Sequence, residues 1–444
     1  MSPAVQGTIV LVVTILALLS GAPVAFALGA VAIVFLVLFQ GADSLGVVAE
    51  TLYSGLHDFT LVSIPMFIMM GAAIGSSPAG RDLYEALDRW LYRVPGGLVV
   101  SNLGACALFA ALTGSSPATC AAIGKMGIPE MRKRGYPAEI ATGSICAGGT
   151  LGILIPPSIT FILYGIATET SIGRLFLAGV LPGLLLTGLF MLWTVFYIWW
   201  KGFRAYAPEF RYSWRDKVRS LPKVAPFLII VVGVMYVLYG GIATPSEAAG
   251  VGAALCVVLA VTIYRMWSPA AWWRILRETT RESVMILMII GTAVLFGYML
   301  SSLYITQTLA QAIAAAEVNR WVLMAMINVF LLVAGCFIPP AGIILMTSPI
   351  LLPIITQAGF DPVWFGVIVT INMEIGLITP PVGLNLFVVN AIAPDVPTRT
   401  VLLGSIPYVG AMLLALVILC IVPEIATWLP DTLMGPAGPA GPGR

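Results

Sequence analysis

Residues 148–165 read "GGTLGILIPPSITFILYG". The stretch is apolar enough to enter a bilayer, yet two adjacent prolines stand in its middle. Proline lacks a backbone donor and its ring clashes with the carbonyl four residues back, at a cost of about 3 kcal/mol in a helix interior. Lipid offers the freed carbonyls no water. Such a break is tolerated at membrane depth only where it is buried in protein or lines a cavity. It marks a place where backbone polarity is put to use.

The rest of the chain supports that setting. Its 444 residues are 59% hydrophobic and 9% charged, with a mean hydropathy of +1.01. That balance excludes a soluble globular protein, whose surface alone requires more charge. No charged side chain occurs over residues 1–42, 94–124, 140–168, 175–200, 283–316 or 321–360. A bilayer core of about 30 Å takes roughly 20 apolar residues per helix. The expected fold class is therefore an all-α polytopic membrane protein. The six cysteines lie scattered in apolar segments without a CxxC spacing, so they read as packing residues and not as a disulfide set or a metal site. The net charge of +2 names no partner, and nucleic acid is not expected.

Lysine and arginine concentrate in cytoplasmic loops. Here 19 of 22 fall in five blocks: Arg81–Arg93, Lys125–Arg134, Lys201–Lys223, Arg265–Arg281 and Arg399. Only Arg174, Arg320 and Arg444 lie elsewhere. The segment 41–60 carries acids but no basic residue, which places it outside. One path satisfies these constraints, with crossings at 5–20, 22–39, 60–76, 137–168 and 175–200, then at 224–241, 246–265, 283–303, 363–393 and 400–422. Residues 94–131 enter and leave from the cytoplasm, and 321–360 from the outside. Length leaves open whether these two are full helix pairs or re-entrant hairpins. The segments 80–97 and 268–283 mix aromatic and basic residues, as interfacial helices do or as connecting helices packed on protein do. The Gly/Pro-rich tail, 431–444, reads as disordered.

The opening motif occurs twice. Setting "GILIPPSITFI" (152–162) on "GLITPPVGLNL" (376–386) superposes Gly152, Pro156 and Pro157 on Gly376, Pro380 and Pro381, an offset of 224. The same offset carries Pro129 onto Pro353 and Gly135 onto Gly359, and it lays "TGSSPAT" (113–119) on "FIPPAGI" (337–343). With one more residue, Arg174, Gly179 and Pro182 match Arg399, Gly404 and Pro407. Each half, 1–222 and 223–430, then holds five crossings, one hairpin and one Pro-Pro-broken helix. An odd number of crossings inverts the second half. Inverted repeats with broken helices characterise secondary transporters, whose sites lie where the breaks meet.

Half-helix N-termini attract a carboxylate, and freed carbonyls at half-helix C-termini suit a small hard cation. The candidate binding residues follow from this chemistry. In the first half they are Thr113, Gly114, Ser115, Ser116 and Thr119 at the tip, facing Gly152, Pro156, Pro157, Ser158 and Thr160. In the second half Gly335, Pro339, Pro340 and Gly342 face Gly376, Thr379, Pro380, Pro381 and Gly383, with Asn372 and Asn385 offering amides on either side. The expected Na⁺ ligands are Ser115, Ser116, Gly152, Gly342, Gly376 and Thr379. Glu374 is the one acid inside a crossing core, and an intramembrane ionisable group is a functional candidate by default. Its options are cation ligand, proton carrier (H⁺ being the other candidate coupling ion) or structural partner. Lys125 and Glu130 read as a simple surface pair.

Five stretches carry a family resemblance: "SIPMFIMMGA" (63–72), "ALTGSSPATCAAIGKMGIPEMRKRGYP" (111–137), "GGTLGILIPPSITFILYGIATETSIGRLFLAGVLPG" (148–183), "TPSEAAGVGA" (244–253) and "NMEIGLITPPVGLNLFVVN" (372–390). Together they resemble the large membrane subunit of TRAP (tripartite ATP-independent periplasmic) transporters, the DctM-like permeases, over residues 7–425. The resemblance implies ion-coupled uptake, commonly with Na⁺, of a C4-dicarboxylate, sialic acid or other carboxylate across the bacterial inner membrane. It implies two partners, a small four-helix membrane subunit and a periplasmic substrate-binding protein. It also implies an elevator-type motion of hairpins and broken helices against a scaffold. This chain has no four extra helices, so the small subunit is expected as a separate polypeptide. The rival transporter reading is a stand-alone Na⁺- or H⁺-coupled anion carrier of related inverted-repeat architecture. An intramembrane hydrolase is disfavoured: a serine nucleophile needs a positioned base, and the single histidine, His57, lies in an outer segment. Neither enzymatic activity nor a bound cofactor is expected.

Overall fold

The computed structural model describes residues 2–201, 212–315 and 318–435. No β-strand occurs among them. The first half comprises α1 (Pro3–Leu19), α2 (Val24–Gln40), α3 (Leu45–Leu56), α4 (Ser63–Gly75), α5 (Ala79–Leu91), α6 (Gly97–Thr113), α7 (Ser116–Lys133), α8 (Ala138–Thr150), α9 (Ile159–Thr168) and α10 (Ile172–Trp200). The second comprises α11 (Trp214–Tyr239), α12 (Pro245–Thr262), α13 (Pro269–Ser302), α14 (Ile305–Ala315), α15 (Arg320–Gly335), α16 (Pro340–Gln357), α17 (Pro362–Leu377), α18 (Leu384–Ile392), α19 (Thr398–Ile421) and α20 (Glu424–Met434).

Local sequence explains many of these boundaries. Proline opens α12, α13, α16 and α17 at their first position, where no intrahelical donor is lost. At α12 the run "TPSE" forms a capping box: the Glu247 carboxylate accepts the Thr244 N–H at 2.8 Å and the Thr244 hydroxyl accepts the Glu247 N–H at 3.3 Å. Six of the described helices are long and apolar enough to cross a membrane, or seven if α3 and α4 form one span bent by 60°. Large apolar side chains point outward from them, with Ile229 70% and Leu192 67% exposed. That surface calls for lipid or a membrane partner.

Several sequence expectations change here. Within the segment 41–60, to which the sequence assigns no crossing, residues 45–56 form α3. The amphipathic stretch 268–283 and the crossing 283–303 are one 34-residue helix, α13. The other amphipathic stretch, α5, packs on α6 and α11, so it is a connecting helix held on protein. A boundary at 222 falls inside α11, whose first turn begins at Trp214. Residues 431–434 close α20, while 436–444 lie outside the described residues.

The basic blocks meet at one end of the molecule. Lys223 bonds Asp82 at 2.8 Å and Glu85 at 2.9 Å, Arg134 pairs with Asp88 at 3.4 Å, Arg132 pairs with Asp395 at 2.7 Å, and the Tyr264 hydroxyl donates to Asp82 at 3.1 Å. Glu130 pairs with Arg134 at 2.9 Å instead of Lys125. The opposite end, where α10 and α12 begin and α11 ends, holds a cavity of about 420 Å³ lined by Asp58, Glu169, Thr170, Pro245 and Met434, with Arg174 following its wall at residues 171–173. Two basic residues outside the blocks have local partners. Arg174 bonds Asp431 of α20 and the Gly435 carbonyl, and the Arg320 guanidinium lies 5.3 Å from the Trp321 ring centre.

The helices sort into two groups. Broken helices and hairpins form one: α8 packs on α19, α7 on α18, α9 on α16 and α10 on α17. In the other, α12 packs on α4 and α13 on α2 and α3. The α8–α19 contact is close because both helices carry glycine: a Cβ on Gly143 would stand 2.2 Å from the Gly404 carbonyl. The groups touch chiefly through α5 on α6, α13 on α16 and α4 on α6, and also through α5 and α4 on α7 and α4 on α9.

Candidate functional site

In the first half the chain turns from α6 to α7 at Gly114, whose φ of 58° is open to glycine at little cost. Ser115 precedes α7 in extended conformation, and its carbonyl becomes the centre of the tip. That oxygen accepts from the Thr119 hydroxyl at 2.9 Å and the Thr113 hydroxyl at 3.4 Å, while the two hydroxyls stand 2.7 Å apart. Gly152 lies directly against it: a Cβ there would be 2.5 Å from the Ser115 oxygen and 2.8 Å from the Thr119 hydroxyl. So Ser115 presents its main chain to the break, not its side chain.

Beyond Gly152 the helix stops, and the Pro156–Pro157 bond is cis. Ser158 restarts it as an N-cap, donating to the Ile153 carbonyl at 2.5 Å and accepting the Phe161 N–H at 3.4 Å. The Ile159 N–H reaches the Gly114 carbonyl at 3.4 Å. Tip and break therefore share main-chain contacts, and Pro156, Pro157 and Thr160 are buried around them. Gly71 of α4 closes the other side, where a Cβ would stand 2.8 Å from the Thr113 carbonyl.

The second half repeats the construction with different chemistry. Gly335, at the end of α15, meets Gly376 of α17, where a Cβ on Gly376 would stand 2.4 Å from the Gly335 oxygen. The Pro380–Pro381 bond is also cis. The Val382 N–H donates to the Cys336 carbonyl at 3.1 Å, and Gly383 holds a left-handed φ of 55° before α18. The Thr379 hydroxyl donates to the Ile375 carbonyl at 2.6 Å, which leaves its lone pairs directed away. Pro339 and Pro340 open α16 at the tip. Here the break is open: Pro380, Pro381 and Val382 are exposed.

Three expected site residues have settings of their own. A Cβ on Gly342 would meet Val24 of α2 at 3.0 Å, so this glycine serves contact with the other helix group rather than the break. The Asn372 amide donates to the Asn328 side chain at 2.6 Å and the Ile368 carbonyl at 2.8 Å, joining α17 to α15. Asn328, a polar residue inside a charge-free run, was legible as a candidate by that alone. Glu374 is fully buried, and neither carboxylate oxygen has a hydrogen-bond partner among the described residues. No group of three or more His, Cys, Asp or Glu residues gathers among the described residues, and the oxygens that meet at the first tip belong to hydroxyl and carbonyl groups. Those are ligands for a hard ion.

Comparison with known proteins gives the family. The family model "Tripartite ATP-independent periplasmic transporter, DctM component" matches residues 11–425. The C4-dicarboxylate TRAP transporter large permease protein DctM of Pseudomonas aeruginosa is 38% identical over 397 residues, 89% of this chain and 92% of that one. The sialic acid TRAP transporter large permease protein SiaM of Vibrio cholerae is 30% identical over 418 residues, 94% of this chain and 97% of its own. Among solved structures, the YdaH transporter of Alcanivorax borkumensis shares the fold, with a TM-score of 0.66 at 16% identity, covering 97% of this chain and 100% of that one. Matched almost end to end, the chain belongs to the DctM family of TRAP transporter large permease subunits, multi-pass inner-membrane proteins that transport and are not enzymes.

Proposed function

We propose that this permease is the path of Na⁺-coupled uptake of a small organic acid, working with a small membrane subunit and a periplasmic binding protein. The observation that carries the reading is the paired contact of hairpin tip and broken helix. Ile159 reaches Gly114 in one half, and Val382 reaches Cys336 in the other. Each contact leaves carbonyl and hydroxyl oxygens convergent at a helix break. A cation would be held by the Ser115 carbonyl with Thr119 and Gly152 in the first half, and by Gly335, Gly376 and Thr379 in the second. The N-termini of α9 and α18 supply partial positive charge for a carboxylate. Relatives named for C4-dicarboxylates, sialic acid and ectoine support a small organic acid as the substrate.

The two hairpins also favour an inverted repeat. The α7 end carries Arg134, at the basic end, while Pro362, which follows the second hairpin, accepts a 2.8 Å hydrogen bond from Tyr164 near the opposite cavity. With the basic end cytoplasmic, the hairpins enter from opposite sides. The grouping of hairpins and broken helices into one body suits an elevator, in which that body slides against α2–α4 and α11–α13.

The test is uptake into vesicles holding both membrane subunits, with ligand-loaded binding protein outside. Uptake is expected to follow the Na⁺ gradient, and Thr379→Ala to raise the Na⁺ concentration for half-maximal uptake about fivefold or more. Uptake unaffected by replacing Na⁺ with K⁺ would overturn the coupling. Equal uptake without any binding protein would favour a stand-alone carrier.

A further inference from the structure

Asn385 belongs to the second half, yet the polar contacts of its side chain all lie in the first. Its amide nitrogen donates to the Ser116 hydroxyl at 2.8 Å and to the Cys146 carbonyl at 3.1 Å. Its amide oxygen accepts from the same hydroxyl at 3.2 Å. Both side chains are fully buried. Space for the amide comes from Gly149 of α8, where a Cβ would stand 3.2 Å from the Asn385 nitrogen and 2.6 Å from Cys120.

The repeat does not duplicate this tie. The offset of 224 carries Ser116 to Pro340 (116 + 224) and Asn385 to Phe161 (385 − 224), and neither side chain can form such a bond. The contact is therefore made once, between the tip of one half and the resumed helix of the other. Ser116 is the first residue of α7, adjacent to the Ser115 carbonyl that faces Gly152, and Asn385 is the second residue of α18, just past the other break. A displacement of either segment drags its counterpart, because a buried amide that loses its partner finds no water to replace it.

We propose that Asn385 is a positioning residue that couples the two breaks, so that loading the first tip and seating the second half-helix are one event. On this view the Ser116 hydroxyl is committed to Asn385 and orients the Ser115 carbonyl, in place of ligating the cation itself. The proposal rests on the functional reading above and deepens it.

A double-mutant cycle tests it in the complete three-component transporter. The Na⁺ concentration for half-maximal uptake is measured for wild type, Ser116→Ala, Asn385→Ala and the double variant. Each single change is expected to raise that concentration about fivefold, and the double change by no more than either alone, since both remove one contact. Ser116→Thr, which keeps the hydroxyl, is expected to stay near wild type. Additive effects, about 25-fold in the double variant, or wild-type values in both singles, would overturn the coupling. If Asn385→Ala does not assemble, Asn385→Ser replaces it in the cycle with the same readings. Should wild-type uptake prove indifferent to Na⁺, the functional reading fails by itself, and the same cycle on initial uptake rates still decides the coupling.

Discussion

Gly376 lies against Gly335 so closely that a methyl group on the former would stand 2.4 Å from the carbonyl oxygen of the latter. Both neighbours are backbone, so neither can swing aside. Gly376→Ala must push the hairpin tip from the broken helix or distort one of them, at a cost of about 1–3 kcal/mol. The expected result is at least a tenfold loss of initial uptake rate, with the variant still reaching the membrane. Gly335→Ala is the control, because its added methyl would meet Gly376 at an ordinary 3.5 Å. Wild-type uptake by Gly376→Ala would show that the tip and break need no close contact.

The ion-pair anchor of α5, at the end where the basic blocks meet, predicts a pH dependence of stability. Burial raises the Glu85 carboxyl pKa, but hydrogen bonds from Lys223 and Arg81 outweigh it and hold it below its ordinary 4.5. A carboxyl whose folded pKa is depressed favours the folded state above its unfolded pKa, and that contribution is lost as pH falls through the folded value. Detergent-solubilised permease is therefore expected to lose thermal stability as pH drops below about 4.5, the ordinary carboxyl range. Glu85→Gln would flatten part of that slope and cost under about 1 kcal/mol at pH 7, since the cluster is partly solvated. Identical pH profiles for the two proteins would mean that the anchor carries no linked proton.

The parts legible in the sequence were those governed by one-dimensional rules. Charge-free runs marked the apolar helices, the five basic blocks marked the end where Lys223, Arg132 and Arg134 meet acids, and the Pro-Pro pairs marked both breaks. What escaped depends on which face of a helix turns where. Gly342 has the composition of a tip residue but faces Val24, and Ser115 contributes a carbonyl that any residue type could supply. The tie between Ser116 and Asn385 spans 269 positions and breaks the repeat, so aligning the halves hides it. Helix boundaries were blurred where one pattern runs into the next, as in α13, whose amphipathic start leads into its apolar core without a stop signal.

The two breaks differ in access, and chemistry can read that difference. Val382 is 36% exposed, whereas Ile159 is 7% exposed. Cysteine placed at each position reports its exposure through its rate of alkylation, because a buried thiol is both shielded and held in its unreactive protonated form. The background needs Cys336 and Cys420 changed to serine, since these two native thiols are half-buried while the other four are buried. Val382→Cys is expected to react with a water-soluble maleimide at least tenfold faster than Ile159→Cys, whose labelling requires local opening. If the helix group carrying both breaks slides against its partner group, binding of Na⁺ and substrate shifts the population between exposures, and the ratio of the two rates changes with them. Equal rates under all conditions would show that the second break is as closed as the first, and the proposed sliding would lose its structural footing.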